Sequence, residues 1–455
     1  MSAELKRELG FWDLVMFHIT AIVGLRWLAI AAGIGYASIF LWILAFLAFF
    51  LPQAYVITNL SRKWPLEGGL YEWTKMALGP FHGYVSGWCY WVNNITYYPS
   101  MMAAAAGFSA YIFVGTQKWE ESQAYVVSFS LISFWIVVWL ELVGLKIGKW
   151  VQNAGAVSTW VAAGLPVVLG AVYLAKFGSV TPFHLSSLIP KITLDNFSTW
   201  ALLCFAMAGF ELLSLMGGEI KDPETNIPRS IVVGGAIATL IYILGTLSLI
   251  VSVSPEKISA ISGILQALTE QSRVFALWLL PSLVAILLVI GQFGGTGAWL
   301  AGSGRVLLMV GVDRYMPKAI SRIHPRWGTP HVAILVQAVI ASVIVLMSAM
   351  GETVQQFYLL LLKYNVIIYF LPYLYLFFAY LQFMRKGEMP MNLAGMLSVI
   401  FGFLSTLIAI VLSFLPPQDE PNVWTYEVRV VGLFVGMLAP GLIFYYNAYR
   451  KARIP

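Results

Sequence analysis

Long apolar runs, separated by short clusters of charge, proline and glycine, organise this chain from end to end. They fall at Phe11–Tyr36, Ala37–Leu60, Phe81–Val114, Gln123–Val143 and Val151–Ala175. A second group follows at Phe197–Met216, Arg229–Val253, Val274–Val310, His331–Met350 and Val354–Met384. Two more lie at Leu393–Phe414 and Trp424–Tyr449. About 20 apolar residues wound at roughly 1.5 Å per residue cross a hydrocarbon core of about 30 Å. The pattern predicts an all-α integral membrane protein of about 12 transmembrane helices in a single domain.

Two runs break their own pattern. The first contains Val23-Gly24-Leu25-Arg26, followed by Gly33 and Gly35; the sixth contains Ala206-Met207-Ala208-Gly209-Phe210-Glu211. Each sets glycine beside a charged residue near mid-span, where a lipid-facing helix tolerates neither well. Weak points in the first and sixth positions are the pattern of a five-plus-five inverted repeat with discontinuous helices. Repeat one would then cover residues 11–175, repeat two 197–384, and two appended helices 393–449. A break frees N–H groups at the start of one half-helix and carbonyls at the end of the other. Unpaired in lipid, these groups are costly, so they must line a cavity or meet a solute. A half-helix N-terminus favours a carboxylate and a C-terminus an ammonium, so two facing breaks suit a zwitterion. Close helix packing alone would account for one such glycine; two breaks at matching positions favour a solute site.

Composition supports the membrane class. The chain is 60% hydrophobic and 11% charged, against roughly 25% charged in soluble domains. The net charge of +6 is distributed by topology and does not indicate a nucleic-acid partner. With the N-terminus inside, 19 Lys and Arg fall in inner segments and 6 in outer ones; Arg26 and Lys363, within spans, complete the 27. That bias predicts that both termini are cytoplasmic, and the chain is expected in the plasma (inner) membrane. Cys89 and Cys204 lie in apolar stretches and read as packing residues, without a disulfide. Met1–Gly10 is charged and lacks the short apolar core and cleavage site of a signal peptide.

Several motifs occur in a fixed order. Trp64-Pro65-Leu66-Glu67-Gly68-Gly69-Leu70-Tyr71-Glu72-Trp73, then Leu78-Gly79-Pro80, resembles the second-loop signature of the amino acid–polyamine–organocation transporters. Phe205 to Glu211 is similar to that family's sixth-helix break, and Glu219 to Pro223 with Ile227-Pro228-Arg229 to the loop after it. Gly302-Ser303-Gly304-Arg305, Asp313, Pro317 and Gly328-Thr329-Pro330 resemble the close of the eighth helix. Ser413 to Pro417 resembles the glutamate/γ-aminobutyrate antiporter branch, and Trp91 to Pro99 the polyamine carriers. The resemblance implies a leucine-transporter-type fold, alternating access and secondary transport of amino acids or related amines. The sequence departs from the family in three places. Leu25 and Arg26 follow Gly24 where small residues are usual, Asn59 replaces a common acid, and Thr159 falls near a fifth-helix lysine of some proton-coupled relatives.

The solute-site candidates are Ile22, Val23, Gly24, Leu25 and Arg26 at the first break, and Phe205, Ala206, Met207, Ala208 and Gly209 at the second. Trp91 and Asn94, three apart on the third span, are expected to face inward, and Trp299 to edge the cavity. A guanidinium near mid-membrane is costly unless paired. Arg26 is therefore expected either to clamp a substrate carboxylate or to pair with Glu211, and both alternatives stand at this point. Glu211, Lys363 and His18 are candidates for gating or coupling to a proton; snorkelling and core packing are the simpler roles for Lys363 and His18. The small stripe Gly291, Gly294, Ala298, Gly302 is ordinary helix packing. Gly295-Thr296-Gly297 follows no strand and no P-loop occurs, so no nucleotide cofactor is expected, and no other cofactor, metal or nucleophile set assembles. The partners expected are a small amino acid or amine, a possible coupling proton and the lipid bilayer. The leading expectation is a secondary transporter of neutral or acidic amino acids, not an enzyme. A polyamine carrier and a transporter-like sensor are the alternatives.

Overall fold

The computed structural model describes residues 9–453 apart from 67, 114, 144, 313–314, 349–352 and 417–421. The chain begins with α1 (Phe11–Ile22) and α2 (Arg26–Ala32), then α3 (Ala37–Ala45), which runs through a π-helical turn at Phe46–Phe50 into α4 (Leu51–Lys63). Pro52 has no N–H to offer the Ala48 carbonyl, which gives the π turn its cause. After α5 (Leu70–Leu78), Pro80 starts α6 (Pro80–Ser109), and α7 (Gln123–Val143) and α8 (Leu145–Phe177) follow.

The second half opens with α9 (Leu194–Ala206), capped by the Thr193 hydroxyl on the Asn196 N–H. A 3₁₀ helix (Phe210–Glu219) leads to α10 (Pro223–Ser252), α11 (Gly263–Val274), α12 (Leu280–Val312) and α13 (His331–Ser348). The chain ends in α14 (Val354–Arg385), α15 (Leu393–Phe414) and α16 (Val423–Arg453). Thr353 and Asn392 cap α14 and α15 through the Gln356 and Gly395 N–H groups. Among the described residues no strand forms; a single isolated parallel bridge joins Leu9 to Ile220.

Nine helical stretches among the described residues are long and apolar enough to cross a membrane, and His331–Met347 is a shorter apolar one. Two of the 12 expected spans stand outside that group for physical reasons. The first is split into pieces of 12 and 7 residues. α6 is about 45 Å long but carries Asn93, Asn94 and a dense set of Tyr and Trp, which lowers its hydropathy. Helix ends differ from the expected spans by a few residues; α8 and α10 each begin six residues early. α5 and α11 are helices the apolar runs did not announce.

α6, α12 and α14 form the centre, with α12 packed chiefly on α8 and α6. The α8–α12 approach is tight: a Cβ at Gly294 would lie 2.8 Å from the Gly155 Cα. The glycine stripe on α12 therefore serves backbone packing, as its spacing predicts. α16 exposes most of its apolar side chains, including Trp424 and Ile443, and joins the bundle through Trp88, whose indole N–H donates to the Met437 carbonyl at 2.9 Å. Cys89 and Cys204 are buried free thiols.

Candidate functional site

Both anticipated breaks are present as local geometry. α1 ends at Ile22, and Val23 turns to extended backbone before α2 begins at Arg26. α9 ends at Ala206, and Gly209, at φ +108°, takes a left-handed conformation that favours glycine. A Cβ there would meet Ile22 and Trp299 at 3.2 Å, so the two breaks lie against each other at that point.

One side chain joins them. The hydroxyl of Tyr242 lies 3.0 Å from the Ile22 carbonyl and 3.0 Å from the Ala206 carbonyl, and accepts the Gly24 N–H at 3.3 Å. One hydroxyl proton serves one carbonyl at a time, so the phenol ties the ends of both half-helices into one shared network. Its ring stacks on Trp42 at 4.4 Å. The second break is held from two further sides: the Gln53 amide donates to the Met207 carbonyl at 2.8 Å, and the Gly209 N–H donates to the Tyr373 hydroxyl at 3.1 Å.

Glu211 follows this break and is 0% exposed. Its two carboxylate oxygens accept short hydrogen bonds from the hydroxyls of Tyr369 and Tyr373. The expected pairing with Arg26 is not made: among the described residues no ion pair joins them. Two tyrosine hydroxyls on α14 satisfy the carboxylate, and the guanidinium turns instead toward α12.

Arg26 is 1% exposed. Its Nη1 donates to the Gln292 amide oxygen at 3.2 Å, and its guanidinium lies 4.9 Å from the Trp27 ring centre and 5.0 Å from that of Tyr97. Among the described residues, Nε and Nη2 have no hydrogen-bond partner. These two nitrogens form one edge of the guanidinium, with parallel N–H bonds that match a carboxylate. Arg26 lines a hollow together with the rest of the first break, Thr20, Tyr97, Met101, Thr159 and Gln292. Thr159 thus shares this hollow with the charge of Arg26.

A second hollow adjoins it, sharing Ile22 and Tyr97. Trp27, Phe205, Trp299 and Tyr369 supply its aromatic walls, with Asn93 and Ala208 between them. The rings contact one another: Tyr97 lies 5.5 Å from Phe205 and 5.6 Å from Trp299, and Phe205 lies 5.4 Å from Tyr369. Such faces accept a cation or an apolar group.

The inward face of α6 differs from the expected one. Asn93 and Tyr97 line the hollows and Tyr90 packs on Tyr369 at 5.5 Å, whereas Trp91 packs on Trp88 at 5.0 Å and neither Trp91 nor Asn94 lines them. Asn94 donates its amide to the Tyr90 carbonyl one turn back, at 2.8 Å. Packing against α16 claims the Trp88 side of the helix and so fixes its rotation. Lys363 also lies elsewhere. It donates to the Leu415 carbonyl at 3.2 Å, just past the end of α15, and its ammonium sits 5.3 Å from the Tyr426 ring. That is a cation at a helix C-terminus, removed from both breaks. His18, one turn before the first break, bridges to the second by donating Nε2–H to the Phe210 carbonyl at 3.3 Å.

Of the solute-site candidates, Ile22 to Arg26, Phe205, Ala208 and Trp299 line the hollows; Ala206, Met207 and Gly209 form the backbone beside them. Sequence reasoning missed Tyr242, Gln292, Tyr369 and Tyr373; Asn93 and Tyr97 stand among the third-span residues able to wall a cavity, but the Trp91 and Asn94 face was preferred. The available signal was an isolated polar group within an apolar helix, which must find a partner.

Comparison with known proteins adds a family match. A family model described as amino acid permease matches residues 9–436. An uncharacterized transporter of Legionella pneumophila is 27% identical over 442 residues, covering 94% of each chain. A probable agmatine/putrescine antiporter of Lactococcus lactis is 24% identical over 450 residues, 96% of this chain and 95% of its own. An aspartate/glutamate permease of Lactococcus lactis subsp. cremoris is 25% identical over 430 residues, 88% of each.

Proposed function

We propose, from the premise that this chain belongs to the amino acid permease family, that it is a secondary transporter of amino acids working by alternating access. That family is one of transporters rather than enzymes, and the chain is a multi-pass membrane protein. Its relatives include amino acid permeases, a serine/threonine exchanger and a probable agmatine/putrescine antiporter. The finer reading places 12 spans in the plasma membrane with both termini cytoplasmic. Its core is a five-plus-five inverted repeat: residues 11–175 form the first half, 197–384 the second, and 393–449 two added helices. Rocking one group of helices against the other exposes the breaks to each side in turn.

One observation carries the choice of substrate: Arg26 lines the hollow at the first break, and its Nε and Nη2 are buried without a partner among the described residues. A buried donor left unmet costs about 1–3 kcal/mol, more on a charged group, and a carboxylate meets two at once. The aromatic hollow beside it receives the rest of the amino acid, its ammonium or its side chain. A polyamine brings no carboxylate and would set a second positive charge near Arg26. Two like charges about 6 Å apart at an effective dielectric of about 20 repel by roughly 3 kcal/mol. Neutral and acidic amino acids therefore fit better than the amine substrate named for the antiporter relative.

Glu211 is the coupling candidate, because its buried carboxylate sits beside the second break within a tyrosine network. It serves a proton symporter by titrating during the cycle, and in an exchanger it holds the break without net proton movement. Purified protein in proteoliposomes tests the proposal. Labelled amino acid should enter faster when unlabelled amino acid is trapped inside, or when an inward proton gradient is imposed. Specific binding without flux would identify a sensor instead.

A further inference from the structure

Asn93 is buried to 1% exposure, yet among the described residues neither its amide nitrogen nor its amide oxygen has a hydrogen-bond partner. Its neighbour Asn94 turns its amide nitrogen back onto the helix backbone. Asn93 instead faces the aromatic hollow, among Trp27, Tyr97, Phe205, Trp299 and Tyr369. Those rings offer faces and edges, and the Tyr369 hydroxyl is already given to Glu211. A primary amide unmet in so apolar a site is costly, by a few kcal/mol on protein scales.

The position matches a reach. Asn93 lies one turn before Tyr97, whose ring lies 5.0 Å from the Arg26 guanidinium, and the hollows that Asn93 and Arg26 line share Ile22 and Tyr97. An amino acid whose carboxylate is held by Arg26 would extend its side chain into the adjoining hollow that Asn93 lines. An amide both donates and accepts, and the group that answers both functions in parallel is another carboxamide.

We propose that Asn93 determines specificity by pairing with the side-chain carboxamide of the substrate, so that asparagine or glutamine is preferred to its apolar counterpart. This rests on the proposed amino acid binding at Arg26. A site built to hydrogen-bond a polar group rejects an analogue lacking it far more strongly than an apolar pocket rejects an added polar group.

Equilibrium binding to the purified, detergent-solubilised full chain provides the test, with tritiated glutamine and tritiated asparagine as probes. Unlabelled glutamine should compete at least about 10-fold better than methionine, and asparagine better than leucine by a like factor, in at least one pair. In Asn93→Leu, which keeps the branched shape and removes both polar atoms, the preferred pair should converge or invert while methionine or leucine keeps its affinity. Asn93→Asp, a second variant of the same size, should lose carboxamide affinity by refusing the donated half of the pair. Apolar members that compete as well as polar ones would overturn the proposal. So would an equal loss for all amino acids in Asn93→Leu, which would assign Asn93 to the shared ammonium or carboxylate. Binding preference without flux would defeat the transport reading and leave Asn93 in place; absence of amino acid binding would defeat both.

Discussion

The phenolic oxygen of Tyr242 stands 3.0 Å from the carbonyl oxygen of Ile22, at the last residue of the first half-helix. From the same atom the Ala206 carbonyl, ending the other interrupted helix, is also 3.0 Å away. The two breaks thus share one hydrogen-bond donor. Tyr242→Phe keeps the ring on Trp42 and removes that donor, leaving buried carbonyls unmet at a cost of about 1–3 kcal/mol. A lower melting temperature in detergent and transport reduced by at least about 10-fold are expected. Unchanged melting and initial rates would show that the hydroxyl does not hold the breaks.

Arg26→Lys separates charge from shape. Lysine keeps the positive charge and loses the planar fork. If the Nε/Nη2 edge grips a carboxylate, KM should rise by about 10- to 100-fold in Lys and further in Gln, with the protein still folded. Initial rates in proteoliposomes measure this. A lysine variant with wild-type KM would make the guanidinium geometry irrelevant.

Glu211→Gln preserves size and one acceptor for the α14 tyrosines while removing the titrating group. Counterflow exchange should persist within a few-fold, and acceleration by an inward proton gradient should vanish. A gradient response equal to wild type would exclude Glu211 from coupling.

The bundle and its interruptions were legible because they rest on local rules. Glycine and charge at Gly24–Arg26 and Gly209–Glu211 do not suit an intact membrane helix, and the breaks form there. Rotation about α6 was not legible. Its aromatics surround the helix, so spacing of three permits Trp91 with Asn94 as readily as Asn93 with Tyr90, and only packing of Trp88 on α16 decides. The Arg26 partner was missed for a related reason. Charge suggested Glu211, but two tyrosines on α14 satisfied that carboxylate from a distance in sequence no pattern encodes. α11 was passed over because Gln266, Glu270 and Arg273 make a polar face opposite its apolar one, leaving the helix too polar for a span.

Outside the membrane spans, Glu120 lies on the short 3₁₀ turn Gln117–Glu121 after α6. Burial pushes its carboxyl up to about 7, and the nearby Glu121 charge adds to this, opposed by a hydrogen bond with Ser262. A carboxyl raised in the folded state binds more protons folded than unfolded between about pH 4.5 and 7, so stability falls as pH rises through that window. Melting temperature should therefore decline from pH 5 to pH 8, and Glu120→Gln should flatten the decline. An identical slope in the variant would contradict the assignment.

Competition between amino acids and the amines left when their carboxyl group is removed tests the central claim most directly. In wild-type proteoliposomes, each transported amino acid should inhibit labelled uptake at least about 100-fold more effectively than its decarboxylated amine, and Arg26→Gln should erase most of that difference. Amines that inhibit as well as their parent amino acids, with the same ratio in Arg26→Gln, would contradict recognition of a carboxylate at the first break.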